Sequence, residues 1–277
     1  MAYKKFGQFT AASEVKDTDI LLIHDGNGVK KITAAEFKDA SGAAARNGIY
    51  RGKYLGDSLT AAQKAVIAAG TFDDMYIGDY WTIDGVNYRI AAFDYWLHCG
   101  DTECTDHHVV IVPDTALDKK AMNDSNITTG AYIGSKMYTT YLATAKATIT
   151  AAFGSANLLS HREYMANAVA SGRQSAGAWY DSIIDLMNEH MVYGGKFFEA
   201  TSDGSNVPYV YSTSKSQLPL FQLDPQRIIT YYEGDRAYWW LRSVVSGTLF
   251  AYVSTGGSAN HAGASGANGV RPAFAIH

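Results

Sequence analysis

With 277 residues, 47% of them apolar, the chain is long enough for one sizeable domain plus a small appendage. Its net charge of −4, without a basic run, argues against a nucleic-acid partner, which would need a cationic face to neutralise phosphates. No window reaches the roughly 18 unbroken apolar residues of a membrane span, the opening MAYKKFGQF lacks the apolar stretch of a secretory leader, and two cysteines do not make a disulfide scaffold.

Residues 1–45 read as a separate unit. Thr18 to Ile23 is a short apolar strand, Asp25-Gly26-Asn27-Gly28 is a turn, and Val29 to Ile32 returns as a second strand. Thr33 and Glu36 have capping-box spacing for a helix over Ala34–Ala40. The unit is too small to bury a core alone, so it is expected to pack on the main domain or on copies of itself. Ser41 to Gly48 (SGAAARNG) reads as a linker, which leaves 46–277 as the large domain.

Within 70–113, Met75 to Ile83, Val86 to Ala92 and Val109 to Val112 are rich in β-branched and aromatic residues and predict strands. Asp84-Gly85 is a hairpin turn between the first two, and Pro113 ends the third. From 132 to 192 the period becomes helical. Met137, Tyr141, Ala145, Ile149 and Phe153 form one stripe. Ser160 and Glu163 have capping-box spacing for a second helix stopping near Gly172. Trp179, Ile183, Leu186 and Met187 mark a third, ended by Gly194-Gly195. Residues 206–277 return to short strands and turns. This order predicts an α+β domain and not an alternating βαβ sheet.

One cluster has metal-ligating character. Cys99, Cys104 and His107, flanked by His98 and His108, offer thiolates and imidazoles for a tetrahedral zinc. The same residues also read as a polar turn with one of His107 and His108 inward and hydrogen-bonded, or as a Cys99–Cys104 disulfide. No G-x-S-x-G, H-E-x-x-H, P-loop or G-x-G-x-x-G motif is present, so no catalytic activity and no cofactor beyond that zinc option are expected.

Large side chains crowd Tyr238 to Ser243 (YWWLRS) and Gly269 to Phe274 (GVRPAF), but the composition between them changes abruptly. Val244 to Asn268 is almost all Ala, Gly, Ser, Thr, Val and Asn, without Lys, Glu, Gln, Met or Trp. Replacing the adenines of AAY codons by any base gives NNY, which encodes none of those five and no stop. A plain Gly/Ser-type loop has the same composition. The 26 Gly and 19 Tyr suit either a binding surface or a β-rich core with wet edges.

WWLRS (Trp239–Ser243), the frame from Phe250 to Gly269 and GVRPAF together resemble the variable proteins of diversity-generating retroelements, phage tropism determinants among them. Residues 70–277 also look like gut-phage tail proteins, in GDYWTIDGVNYRIAAFDYW and GDTECTDHHVVIVPD. The resemblance implies a C-type-lectin-like (formylglycine-generating-enzyme-like) fold whose variable region, about 244–269, is rewritten at adenines. It implies a virion-tail location, a host-surface protein or glycan as ligand, other tail proteins as partners, and a 1–45 unit for attachment or trimerisation, hence a homotrimer. Formylglycine-generating enzymes use C-terminal cysteines, and this chain has none after Cys104; the E-P-N and W-N-D sugar-binding sequences of true C-type lectins are absent too.

In that frame Trp239, Trp240, Leu241, Phe250, Val253, Val270 and Phe274 are core, with Arg242 and Arg271 satisfying buried carbonyls or carboxylates. Gly257, Ala259, Ala264, Ser265 and Gly269 complete the scaffold. The exposed, ligand-facing set is Thr248, Tyr252, Ser254, Thr255, Gly256, Ser258, Asn260, His261, Ala262, Gly263, Gly266, Ala267 and Asn268. Only Tyr252 and His261 are large, so this copy is expected to bind weakly unless avidity helps. The competing expectation is a structural tail component with a Gly-rich surface.

Overall fold

The computed structural model describes residues 20–24, 29–33, 42–199, 216–223, 225–228 and 230–277. Strands β1 (Ile20–His24) and β2 (Val29–Thr33) pair antiparallel, with His24 opposite Val29 and Ile20 opposite Thr33. The expected helix over 34–40 lies outside the described residues.

The stretch read as a linker is not one. Residues 42–46 form a helical turn, α1, and Ala43 packs against the main core. Asn47 then locks onto β5 (below) from its side chain, donating to the Phe93 carbonyl at 2.9 Å and accepting from the Phe93 N–H at 2.8 Å. A small, polar stretch mimics a linker in sequence because nothing local reveals a partner 46 residues away.

Strand β3 (Tyr54–Gly56) leads to α2 (Ala61–Ala68), opened by a reciprocal Thr60/Gln63 capping box. Strands β4 (Tyr80–Ile83) and β5 (Val86–Phe93) form the expected hairpin, with Asp84 and Gly85 at φ 49° and 79°. The strand expected from Met75 starts only at Tyr80. Asp79 is fully buried there, accepting from Arg51, Tyr76 N–H and Lys53 N–H, and residues 75–79 turn to wrap it. Strand β6 (Val109–Pro113) is wholly buried, and β7 (Asp118–Ala121) follows.

The helical stripe behaves as read: a π-turn at Met137–Tyr141 runs into α3 (Ala143–Phe153), burying Met137, Ala145, Ile149 and Phe153. The next two expected helices are strands. Residues 161–182 form a long antiparallel hairpin of β8 (His161–Ala170) and β9 (Arg173–Ser182), with Ser171 and Gly172 at φ 51° and 72° in its turn. Gly172 thus closes a hairpin where a helix stop was expected. Glu163 gives no capping box; it faces a buried arginine. Strand β10 (Ile184–Leu186) and the one-turn helix α4 (Glu189–Tyr193) occupy the third helix's place, and Gly194 ends α4 at φ 77° as its sequence suggests.

After α5 (Pro225–Ile228) and the small hairpin β11 (Tyr231–Tyr232) and β12 (Asp235–Arg236) come β13 (Trp239–Val244), β14 (Leu249–Val253), β15 (Ala259–Gly263), β16 (Ala267–Val270) and β17 (Pro272–Ile276). The larger sheet has the order β10-β17-β6-β5-β4-β3 and the second β15-β14-β13-β16-β7. The described residues thus make a mixed α+β fold, mostly sheet with a few short helices. None of those helices is long and apolar enough to cross a membrane.

The second sheet has a core on each side. Side chains alternate along β13, so Trp239 and Leu241 join Trp81, Phe93, Ile111 and Phe274 in one cluster, while Trp240 and Val244 join Tyr132, Met137, Phe250 and Val270 in the other. Both tryptophans are fully buried and anchor their indole N–H groups, Trp240 on Lys120 O at 2.8 Å and Trp239 on Arg227 O at 3.4 Å.

Candidate functional site

The variable-looking segment is built as strand, turn, strand and not as a string of loops. β14 and β15 pair from Leu249↔Gly263 to Val253↔Ala259, placing β15 at the outer edge of the second sheet. Their turn is tied by its backbone: Ser254 N–H donates to Ser258 O and Gly257 N–H to Ser254 O, each at 2.9 Å. The Ser254 hydroxyl also accepts from Ser258 N–H at 3.1 Å. Gly257 is buried at φ 81°, where a Cβ would meet Ile228 Cγ1 at 2.9 Å; its carbonyl accepts from Tyr193 OH.

Beneath this hairpin the expected anchors are all in place. Trp239, Trp240, Leu241, Phe250, Val253, Val270 and Phe274 are fully buried. Arg242 reaches Glu163 Oε1 at 2.6 Å and the Leu186 carbonyl at 3.2 Å. Burial pushes the Glu163 carboxyl up, but the Arg242 charge, the nearby His161 ring and the Arg242 hydrogen bond outweigh it and hold the pKa at about 2. Arg271 donates to Pro113 O at 2.7 Å and Gln226 O at 3.2 Å and lies over the Trp239 ring.

The expected surface set divides. Thr248, Gly256, Ser258, Asn260, His261, Gly266 and Ala267 are exposed, whereas Tyr252, Ser254, Thr255, Ala262, Gly263 and Asn268 are half-buried. The burial comes from remote segments. Tyr252 meets Trp240 and Tyr238 edge-on, ring centroids 6.1 and 5.4 Å away. A side chain at Gly263 would collide with Asn126, its Cβ 2.4 Å from Oδ1. Ser265, read as scaffold, is exposed; it donates to that same Asn126 oxygen from N–H and hydroxyl at 3.0 and 2.7 Å. Gly263 is therefore the more constrained of the two positions.

Sequence reasoning missed several neighbours. Phe198, whose loop is held by Glu189 accepting N–H bonds from Phe197, Phe198 and Glu199, touches the His261 ring edge-on at 4.9 Å. Tyr238 is half exposed beside Tyr252. Ala267 and Asn268 line a cleft of about 280 Å³ with Lys119, Tyr232, Asp235, Arg236 and Tyr238. The YY…DR…Y pattern of 231–238 is the signal that marks this rim, since aromatic and charged residues flank a Glu233-Gly234 turn.

Cys99, Cys104 and His107 are not brought together as a ligand set: among the described residues no three His, Cys, Asp or Glu side chains converge to hold a metal. His107 instead points Nδ1 at Asp94 Oδ2, 2.8 Å away. The inward partner of the pair is His108. Its Nδ1 contacts the Asp106 carbonyl and its Nε2 accepts from Trp96 N–H at 3.0 Å, so the ring is a neutral tautomer, and burial pulls its pKa down to about 4. Cys99 and Cys104 are free thiols, both made less acidic by burial, Cys99 to about 11.

A family model described as a domain of unknown function, DUF6273, matches residues 158–277, from just before β8 through β17. No curated protein and no solved structure matches the chain.

Proposed function

We propose that this chain is a receptor-binding protein of a phage or prophage tail. In this reading its fold is C-type-lectin-like and the β14–β16 region is a surface diversified by adenine-directed mutagenesis. One observation carries the reading. The residues whose types match mutated AAY codons sit mostly at the exposed edge and turns of the second sheet, while the anchors Trp239, Trp240, Leu241, Phe250, Val253, Val270 and Phe274 between and around them are fully buried. Side chains can change on such a support without disturbing the backbone, because the turn and strand bonds are made by backbone groups.

The ligand in this reading is a protein or glycan of the host surface, and the chain itself performs no catalysis. The 1–45 unit joins copies into a homotrimer or to other tail proteins, which multiplies weak contacts. Sequencing many copies of the gene tests the proposal. Changes concentrated on AAY codons over 248–268, sparing the codons for Trp239–Arg242 and Val270–Phe274, are expected. Drift spread evenly over 239–277 would instead make the segment a structural tail surface.

A further inference from the structure

The loop from Cys99 to Cys104 is closed by its own backbone. Cys104 N–H donates to Cys99 O at 3.0 Å, and Cys104 O accepts from His98 N–H at 2.8 Å. His98 and Cys99 therefore jointly oppose Cys104, as in a β-bulge, with His98 supplying the positive φ of 60°. One N–H···O bond of 3.0 Å, with the backbone lengths on either side of it, keeps the Cα atoms of Cys99 and Cys104 within about 6.8 Å, the outer limit of the roughly 4.4–6.8 Å that a disulfide spans. Each thiol makes one weak hydrogen bond that a bridge would replace, Cys99 Sγ donating to Leu97 O at 3.6 Å and Cys104 Sγ to Asp106 O at 3.9 Å.

The rest of the loop is fixed. Gly100 has φ 104°, and a Cβ there would lie 2.5 Å from Thr102 O and 2.9 Å from Arg162 Cβ. Asp101 grips Arg162 on β8 with both oxygens, at 2.7 and 3.0 Å. Bridging the cysteines would thus restrain the unfolded chain far more than the folded one.

We propose that Cys99 and Cys104 form an intrachain disulfide in an oxidising milieu, with a small-molecule disulfide such as glutathione disulfide as oxidant. The half-buried Cys99 attacks first, forming a mixed disulfide and expelling one glutathione thiolate. Cys104 sulfur then attacks the Cys99 sulfur and expels the second. Two protein thiols are oxidised, one glutathione disulfide is reduced to two glutathione thiols, and those thiols take up the two protons released. The chain has two cysteines, so an intrachain bridge has one pairing.

The test equilibrates the 277-residue protein with glutathione disulfide, unfolds it in iodoacetamide and weighs the peptide spanning 99–104. Loss of two hydrogens without alkylation, reversed by dithiothreitol, is expected, together with a higher thermal midpoint in the oxidised form. Cys104→Ser should leave Cys99 alkylated or singly glutathionylated. Alkylation of both thiols in the oxidised wild type, or a disulfide-linked dimer on a non-reducing gel, overturns the proposal. So does a bridge that leaves the thermal midpoint unchanged or lowers it, because the folded loop would then be strained by it.

Discussion

Trp240 and Asn260 lie on neighbouring parts of one sheet and have opposite consequences when cut back. Trp240→Ala opens a cavity in the Tyr132, Met137 and Phe250 cluster and strands the Lys120 carbonyl, so a loss of about 3–5 kcal/mol is expected in urea unfolding. Asn260→Ala removes an exposed amide whose oxygen accepts from the next N–H, and should cost about 0.5 kcal/mol or less. Equal losses would mean that the edge is structural. The Arg242–Glu163 pair sets a pH dependence of definite sign. The folded carboxyl titrates at about 2 against an ordinary 4.5. The pair's contribution is therefore complete above about 4.5 and drains away as pH falls toward 2, because the unfolded chain takes up the proton first. Unfolding measured from pH 6 to pH 2.5 should show that slope, and Glu163→Gln should flatten it. At neutral pH the same change should destabilise by about 3–5 kcal/mol, since Arg242 stays buried without its anion.

At the scale of elements, the β14–β15 turn separates two adjacent glycines. Gly257→Ala must adopt φ 81° and push into Ile228, whereas Gly256 points into open space with nothing closer than Ser254 Oγ at 3.8 Å. The expected outcome is a loss of more than about 1 kcal/mol for Gly257→Ala and almost none for Gly256→Ala, read as thermal midpoints. The Asp84-Gly85 hairpin and the α3 stripe were legible because turn chemistry and apolar spacing are local, whereas the Gly256/Gly257 split followed from the frame that the resemblance implies. The β8–β9 hairpin was not. Ser160-x-x-Glu163 and the alanines at 166, 168 and 170 favour a helix on their own, and what overrides them is pairing with residues 173–182 plus the pull of Arg242 on Glu163. The site divides in the same way. Its anchors are visible as large apolar residues, but the half-burial of Tyr252 and the crowding at Gly263 come from Tyr238 and Asn126, which no spacing rule connects to them.

At the scale of the molecule, the two sheets share no strand but are joined through the core on which Trp239 lies, so the exposed positions of the β14–β15 edge rest on a buried support, on which Tyr252 and Ala262 also pack. Exchanging Thr248, Gly256, Ser258, Asn260, His261 and Ala267 together should therefore move the thermal midpoint by a few degrees at most, and under the proposed function it should change what the protein binds. The proposed trimer predicts three copies in light scattering of the 277-residue chain, and a monomer at micromolar concentration would contradict it. The position of the latest-made strands has a consequence for how the protein is produced. β17 lies between β10 and β6, and β16 lies between β13 and β7, so residues 267–276 are interior to both sheets. Neither sheet can be completed until those residues have left the ribosome. A stop or frameshift anywhere in 244–267 deletes β16 and β17, an interior strand from each sheet, and a chain ended after Gly266 should show no cooperative unfolding transition. For a segment rewritten as proposed, synthesis would screen each copy for an intact reading frame: substitutions pass, while truncated chains stay unfolded and fall to proteases.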